Sequence, residues 1–142
     1  MESLKRILMA VGIILVVGFI LLPIISNPNH KPALNAICRV ELAGIKNALD
    51  GYQSKYANYP AGNQSEIIKS LCGDNLQKYQ FLNIKVNQLN SDKEYLDPWG
   101  TPFAINFSST NSFVVSSAGK DKIWGDKDDI IFNSVTNDFV KP

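Results

Sequence analysis

The stretch from Pro32 to Tyr56, PALNAICRVELAGIKNALDGYQSKY, decides the fold of this 142-residue chain. Its apolar residues recur at three- and four-residue intervals over about six turns, which is the spacing of a helix with one buried stripe. This stripe comprises Leu34, Ile37, Cys38, Leu42, Ile45, Leu49, Tyr52 and Tyr56. Pro32 suits a first helical turn, and Asn58-Tyr59-Pro60 ends the pattern. We therefore predict a long amphipathic helix that must bury one face against another layer.

Short alternating apolar runs near the C-terminus supply that second layer. Two runs alternate with small or polar residues on either side of a turn at 108–111, which predicts an antiparallel pair of strands. Their inward positions are Phe103, Ile105, Phe107, Phe113 and Val115. A short final strand is predicted at Ile130–Phe132. Because the helix stripe and one sheet face can bury each other, the predicted fold class is α+β, with one long helix packed on a small antiparallel sheet.

The segment between the long helix and the sheet carries weaker signals. Ser65 can cap a short second helix from Glu66 to Cys72, since turn-forming residues follow it directly. Residues 76–95 fit neither helical nor strand spacing for long. We predict an irregular connection there, with one short strand at Phe81–Val86.

An uncharged run of nineteen residues, Ile7–Ile25, predicts a membrane anchor. At 1.5 Å per residue it spans about 28 Å, which suffices to cross a bilayer. The alternative is a cleaved secretory signal, but such signals have shorter apolar cores and end in small residues. Lys5 and Arg6 precede the run, so the positive-inside rule places the N-terminus in the cytoplasm. The predicted organisation is a cytoplasmic segment at 1–6, a transmembrane helix at 7–25, a linker at 26–32 and an extracytoplasmic domain at 33–142.

Charge balance and the scarcity of catalytic residues exclude several classes of function. Fourteen Lys and Arg stand against thirteen Asp and Glu, so no basic surface predicts a nucleic-acid partner. The sole histidine, His30, lies in the linker, so no Ser/His/Asp or Cys/His set can be assembled. We therefore predict that the protein is not an enzyme and takes no small-molecule substrate.

The two cysteines, Cys38 and Cys72, both fall in the domain predicted to lie outside the cytoplasm, where disulfides persist. A bond between them would close a loop of about 35 residues, worth roughly 3 to 4 kcal/mol in the loop-entropy model. The alternative is two free thiols that pack as small apolar side chains. We favour the disulfide.

Four aspartates crowd the nine residues from Asp121 to Asp129. A hard divalent cation relieves such repulsion, and calcium takes 6 to 8 oxygens from carboxylates and carbonyls in flexible loops. The spacing is not that of an EF-hand. The alternative is a solvated turn whose charges are neutralised by Lys120, Lys122 and Lys127.

A second loop, Asp97-Pro98-Trp99-Gly100, predicts a tight turn before the first strand. Gly100 would supply a positive φ, and Trp99 would fill the seam between the helix and the sheet. We interpret these four residues as structural.

Three motifs, in this order, resemble the pseudopilins of type II secretion, in particular the major, G-type pseudopilin, and the wider type IV pilin-like family. The run from Leu49 through Tyr59-Pro60 is similar to the helix end "ALxxYxxxxxxYP" of that family. Residues 97–103 are similar to its "DPWGxPY" turn, and residues 116–130 to its calcium loop "SxGxDxxxGxxDDI".

The resemblance implies a pilin-like fold that closes on a C-terminal calcium loop. It implies a structural Ca²⁺ held by the side chains of Asp121, Asp128 and Asp129, with backbone carbonyls near Ser117, Ala118 and Ile123. Asp126 is not at a position that the motif requires. Bound calcium would tie the last turn to the sheet and add to the folding free energy.

The resemblance also implies a calcium-stabilised structural subunit of a type II secretion or type IV pilus-like envelope machine. Its place would be the bacterial inner membrane, with the C-terminal domain in the periplasm and with partners that are copies of itself, other pseudopilins or other envelope proteins. The sequence departs from the family in two respects. The linker with Pro28 and Pro32 interrupts the stem helix, and, more importantly, there is no "FTLIE" start and Ile7–Ile25 contains no acid. The second departure favours an alternative, a non-polymerising membrane-anchored binding module that recruits another envelope protein.

Overall fold

The computed structural model of the protein describes residues 33–140. The predicted cytoplasmic segment, transmembrane helix and linker fall on residues 1–32 and lie outside the described residues. Among residues 33–140, no helix combines the length and the apolar character that crossing a membrane requires.

The predicted long helix is present as α1, Leu34–Tyr56. Its buried residues are Cys38, Leu42, Ile45, Ala48 and Leu49, which confirms the middle of the predicted stripe and adds Ala48 to it. Leu34, predicted at the start of the stripe, is instead 46% exposed. The helix ends at Ala57, which takes a left-handed conformation with φ of 62° and donates its backbone N–H to the carbonyl of Gln53. This C-cap satisfies a carbonyl that the helix leaves without an internal partner.

The second layer is a four-stranded antiparallel sheet in which the strands lie in chain order. The strands are β1 (Ala104–Ser109), β2 (Ser112–Ser117), β3 (Ile130–Asn133) and β4 (Asp138–Val140). Phe113 and Val115 of β2 are fully buried, and both β2 and β3 pack against α1. Phe107 of β1, predicted to point inward, is instead exposed and stacks on Tyr59. The predicted α+β class is therefore confirmed, with the core between the helix stripe and the sheet.

The sequence prediction missed the last strand. It ended the sheet at Ile130–Phe132, whereas β4 extends it by pairing Phe139 with Phe132. The two rings meet edge to face with centroids 5.5 Å apart. One apolar pair in a three-residue strand is too short a pattern to show alternation, so β4 gave no signal in the sequence.

Two details of the middle segment also differ from the prediction. The second helix, α2, is Gln64–Leu71, and its cap is Asn63, in a capping box with Glu66, rather than Ser65. The strand predicted at Phe81–Val86 was wrong, and a short 3₁₀ helix lies at Val86–Gln88 instead. The apolar residues of this segment, Phe81, Leu82, Ile84 and Leu89, each contact the hydrophobic core from irregular backbone. Their spacing therefore does not follow the alternation of a strand.

Candidate functional site

Two loops that carry aspartates lie side by side at the end of β2. The first, which we call the Asp97 turn, comprises residues 97–101, and the second, the acidic loop, comprises residues 119–129. Ser117, the last residue of β2, joins them, because its hydroxyl donates to Asp97 Oδ2 and accepts from the backbone N–H of Gly119. Lys122 Nζ lies 3.9 Å from the position that a Cβ would take at Gly100. The two loops therefore form one continuous surface at this end of the domain.

The Asp97 turn is built around a buried carboxylate. Asp97 is only 4% exposed, and its Oδ1 accepts from the backbone N–H groups of Trp99, at 3.0 Å, and Thr101, at 2.9 Å. The hydroxyl of Ser117 supplies a third donor at 2.5 Å. Gly100 adopts a φ of 86°, the left-handed conformation that closes the turn at little cost for glycine. Three donors of the protein satisfy this buried carboxylate, so the turn needs no ligand to balance its charge.

Other residues of the Asp97 turn serve packing. Pro98 and Trp99 are half-buried, and Trp99 packs against the hydrophobic core. The sequence predicted the turn but not the hydrogen bond between Asp97 and Ser117. A polar residue at the inward-facing end of a predicted strand, as Ser117 is, could have indicated it, because such a residue needs a buried hydrogen-bond partner.

The buried polar region beneath the turn extends into α1. The thiol of Cys38 lies within hydrogen-bond reach of Ser117, and burial raises the pKa of that thiol to about 11. One turn along α1, Glu41 Oε1 accepts from Gln88 at 3.0 Å. Burial raises the pKa of Glu41, against the opposing effect of hydrogen bonds from Tyr95 and Gln88. These groups face the helix-sheet seam.

The predicted disulfide is absent, because Cys38 and Cys72 are both free thiols. Cys38 faces the end of β2 from the first half of α1, whereas Cys72 caps the far end of α2 and is half-buried. The two residues therefore serve different contacts. Sequence reasoning placed Cys72 near α1 from the helix order alone, which does not fix the direction of either side chain.

The acidic loop is shaped by its own aspartates. Asp121 Oδ1 accepts from the N–H of Ile123 at 2.9 Å, and Asp126 Oδ1 accepts from the N–H of Asp128 at 2.8 Å. Each is a turn in which a carboxylate bonds the backbone two residues ahead. Asp129 Oδ2 accepts from the N–H of Gly125 at 2.8 Å and closes a wider turn. The loop is thereby folded tightly, with most of its residues exposed.

The aspartates of the acidic loop repel one another. The backbone N–H of Asp128 favours the ionised form of Asp126, but the nearby Asp121 carboxyl, desolvation, and the charges of Asp121 and Asp128 outweigh it and raise the pKa of Asp126. Asp129 Oδ1 is buried and has no hydrogen-bond partner within residues 33–140. With four aspartates against Lys120, Lys122 and Lys127, the loop holds one net negative charge and one unsatisfied buried oxygen.

Close approach of the backbone holds the base of the loop together. Gly119 has a φ of 69°, and a Cβ there would clash with the carbonyl oxygen of Asp128. Only glycine allows the two ends of the loop to come this close. The backbone of Gly119 and the carbonyl of Asp128 thus lie close together, and oxygen is the donor that calcium prefers.

The residues expected to hold calcium are placed as follows. Asp121 and Ile123 are exposed, Asp128 and Asp129 are half-buried, and Ser117 and Ala118 are buried at the end of β2. The structure brings Asp121 next to Asp126, a residue that the motif does not require. Within the described part of the chain, no three His, Cys, Asp or Glu side chains converge as a metal cluster. Backbone carbonyls would have to complete any ion site here.

These features define a class of protein: a small α+β domain whose long leading helix packs on an antiparallel sheet, closed at one end by two aspartate-bearing loops. The protein family described as Type II secretion system (T2SS), protein G, matches residues 27–134. The chain therefore belongs to this family, that of the major pseudopilin, and the resemblance noted from the three motifs is confirmed. Comparisons with curated proteins and with solved structures gave no match. Pseudopilins are structural, envelope-associated components of the secretion machinery.

Proposed function

We propose that the protein is a calcium-stabilised pseudopilin subunit that assembles with copies of itself or with other pseudopilins at the inner membrane. The family match over residues 27–134 carries this proposal, since it spans both helices, the acidic loop and the first three strands. Ile7–Ile25 would anchor the chain as a single span, with the domain at 33–142 in the periplasm. The role is structural and involves no turnover.

Assembly is tested on the full chain extracted from membranes. We expect electron microscopy to show filaments with helical order for the native chain and for the control Leu15→Ile, because both keep the N-terminal run apolar. Leu15→Lys puts a charge into the apolar run, which is costly in lipid or in a packed helical bundle, and should abolish the filaments. A native chain that stays a monodisperse monomer at every concentration would contradict the proposal.

Calcium is the ion that the acidic loop suits best. All the donors in reach are oxygens, the aspartates repel one another, and Asp129 Oδ1 lacks a partner among the described residues. We propose that Asp121, Asp128 and Asp129 hold the ion with the carbonyls of Ser117, Ala118 and Ile123.

The ion would join the end of β2 to the start of β3 and would stabilise the domain. Titration calorimetry on the detergent-solubilised chain should give one calcium per chain, and the absence of binding heat would count against the site.

A second function has one specific observation in its favour. Because Ile7–Ile25 lacks the acid that in this family neutralises a neighbouring N-terminus, the chain would instead stay a membrane-tethered binding module for another envelope protein. Mass spectrometry of the N-terminus of the membrane-extracted chain separates the two. A cleaved and methylated terminus supports the filament subunit, whereas an intact Met1 together with a monomer in detergent supports the tethered module.

A further inference from the structure

The acidic loop presents two large apolar side chains to solvent. Ile123 is 62% exposed and Trp124 is 47% exposed, and we call this pair the loop tip. The loop backbone is fixed on both sides, with a left-handed Lys122 before the pair and a left-handed Gly125 after it. An exposed Trp on a rigid turn is typical of a residue that a partner buries, because aromatic anchors lose little entropy on binding.

A depression of about 330 Å³ lies at the other end of α1. Its lining residues, which we call the helix pocket, are Gly51, Ser54, Lys55, Tyr79 and Phe81. Gly51 forms the floor, since a Cβ there would lie 3.1 Å from the ring of Phe81. Lys55 Nζ sits 4.6 Å from the ring centroid of Tyr79, so a cation and two aromatic faces line the same hollow. Such a surface suits an aromatic side chain with an acid beside it.

The loop tip and the helix pocket of one chain lie at opposite ends of α1. The acidic loop leaves the sheet at Ser117, beside Cys38, and Lys122 keeps it close to Gly100 of the Asp97 turn. Cys38 and Lys55 are about 25 Å apart along the helix axis at 1.5 Å per residue. The tip therefore lies too far from the pocket of its own chain, and a contact between them must join two chains.

We propose that the loop tip of one copy docks in the helix pocket of the next copy, with Trp124 against Tyr79 and Phe81. Charge complementarity supports a second copy as the occupant: Asp126 follows Trp124 by two residues and lies outside the proposed ligand set, while Lys55 borders the pocket. Opposite ends of the subunit meet, so the interface is heterologous, and repetition of a heterologous contact builds a helical filament or a ring. This contact rests on the proposed role as a filament subunit.

Oxidative cross-linking of the full, membrane-extracted chain tests the contact. In a Cys72→Ser background, which leaves only the fully buried Cys38, one chain carries both Ile123→Cys, which keeps Trp124 in place, and Ser54→Cys. A head-to-tail contact should then give a ladder of covalent trimers and higher species, whereas each single variant should give none. The matched control pairs Ser54→Cys with Val135→Cys, a 75% exposed apolar residue on the turn between β3 and β4, and should give no ladder.

A second measurement uses no new cysteine. Trp124→Ala should raise the concentration at which the full chain assembles by at least about tenfold, as loss of an aromatic anchor does, while Val135→Ala leaves it unchanged. Lys55→Glu and Asp126→Lys should each weaken assembly, and together restore it. Filaments that form without the cross-link and at an unchanged concentration in Trp124→Ala would overturn this contact and leave the filament role standing. A chain that never assembles would overturn both.

Discussion

The Asp97 turn and the acidic loop lie side by side at the end of β2 and both carry aspartates, yet they neutralise the charge in different ways. Asp97 is buried, and three donors of the protein itself satisfy it: two backbone N–H groups and the hydroxyl of Ser117. In the acidic loop, Asp126 and Asp121 repel each other, and Asp129 Oδ1 has no hydrogen-bond partner among the residues that the structure describes. The Asp97 turn is complete without a ligand. In the acidic loop, Lys120, Lys122 and Lys127 form no salt bridge with the four aspartates among the residues that the structure describes.

This difference separates structure from binding in two motifs that look equally acidic in the sequence. A buried carboxylate with fixed donors stabilises the turn that contains it, and its removal leaves those donors unpaired. Exposed carboxylates that repel one another destabilise their loop until a cation arrives. We therefore expect substitutions in the Asp97 turn to affect folding and substitutions in the acidic loop to affect calcium binding.

The largest effect is expected from Asp97→Ala. Removal of the Asp97 carboxylate leaves two backbone N–H groups and the buried Ser117 hydroxyl without their acceptor. Hydrogen bonds to charged groups are worth about 1.5 to 3 kcal/mol each, though not additively. We expect the free energy of unfolding to fall by about 3 kcal/mol. Thermal unfolding followed by circular dichroism measures it, with the exposed Asp92→Ala as the control. Equal unfolding temperatures for the two variants would refute the structural role of Asp97.

The second effect is the slow reaction of the Cys38 thiol. A thiol with a pKa of about 11 has on the order of a hundredfold less thiolate at pH 8 than an ordinary cysteine, and Cys38 is also fully buried. Burial raises the pKa of Cys72 as well, but Cys72 is only half-buried. Maleimide should therefore label Cys38 at least about tenfold more slowly than Cys72, with a rate that rises toward pH 11. Unfolding without reductant should expose both thiols at once. A chain with no free thiol after unfolding would mean that the two cysteines are bonded.

The third effect concerns calcium affinity. Asp129→Asn removes the charge of the carboxylate whose Oδ1 lacks a partner within residues 33–140, so we expect at least about tenfold weaker binding in titration calorimetry, or about 1.4 kcal/mol. Asp138→Asn, an exposed aspartate in β4, is the matched control and should bind as the native chain does. Unchanged affinity in Asp129→Asn would remove this residue from the ligand set.

The smallest effect is expected from Asp126→Asn in the absence of calcium. The pKa of Asp126 is raised in the folded state, so folding favours its protonated form. The stability from that group is present below its unfolded pKa and is lost as the pH rises through the folded pKa. With calcium chelated, the variant should therefore melt slightly above the native chain at pH 7 and no higher than it at pH 3. A lower melting temperature at pH 7 would contradict the repulsion between Asp126 and its neighbours.

The sequence predicted the two layers of the fold because each layer repeats a burial pattern. The middle of the α1 stripe is buried, and so are Ile105, Phe113 and Val115. Leu34 and Phe107 stand at the ends of their patterns and are exposed, although both were predicted to face the core. β4 and the Asn63 cap were missed because each depends on a single local contact. Asn63 and Ser65 are both good capping residues, and only the reciprocal bond with Glu66 distinguishes them.

The candidate site was predictable in its motifs but not in its pairings. Composition and motif order located both loops, whereas the bond from Ser117 to Asp97 joins residues twenty positions apart and has no local signature. The disulfide prediction failed for a related reason, since spacing along two helices does not tell which way Cys38 and Cys72 face. Asp126 was set aside on its motif position, yet it lies against Asp121, because the turns of the loop bring the two together.

The contrast between the two loops is tested most directly by thermal unfolding of the native, detergent-solubilised chain during a calcium titration. We expect a saturable rise in the melting temperature of about 10 °C at a hundredfold excess over the dissociation constant, and a much smaller rise with magnesium, which demands a more regular site. Asp97→Ala should show the same rise from a lower starting temperature, because its defect lies in the other loop. A melting temperature that does not change with calcium would contradict the account.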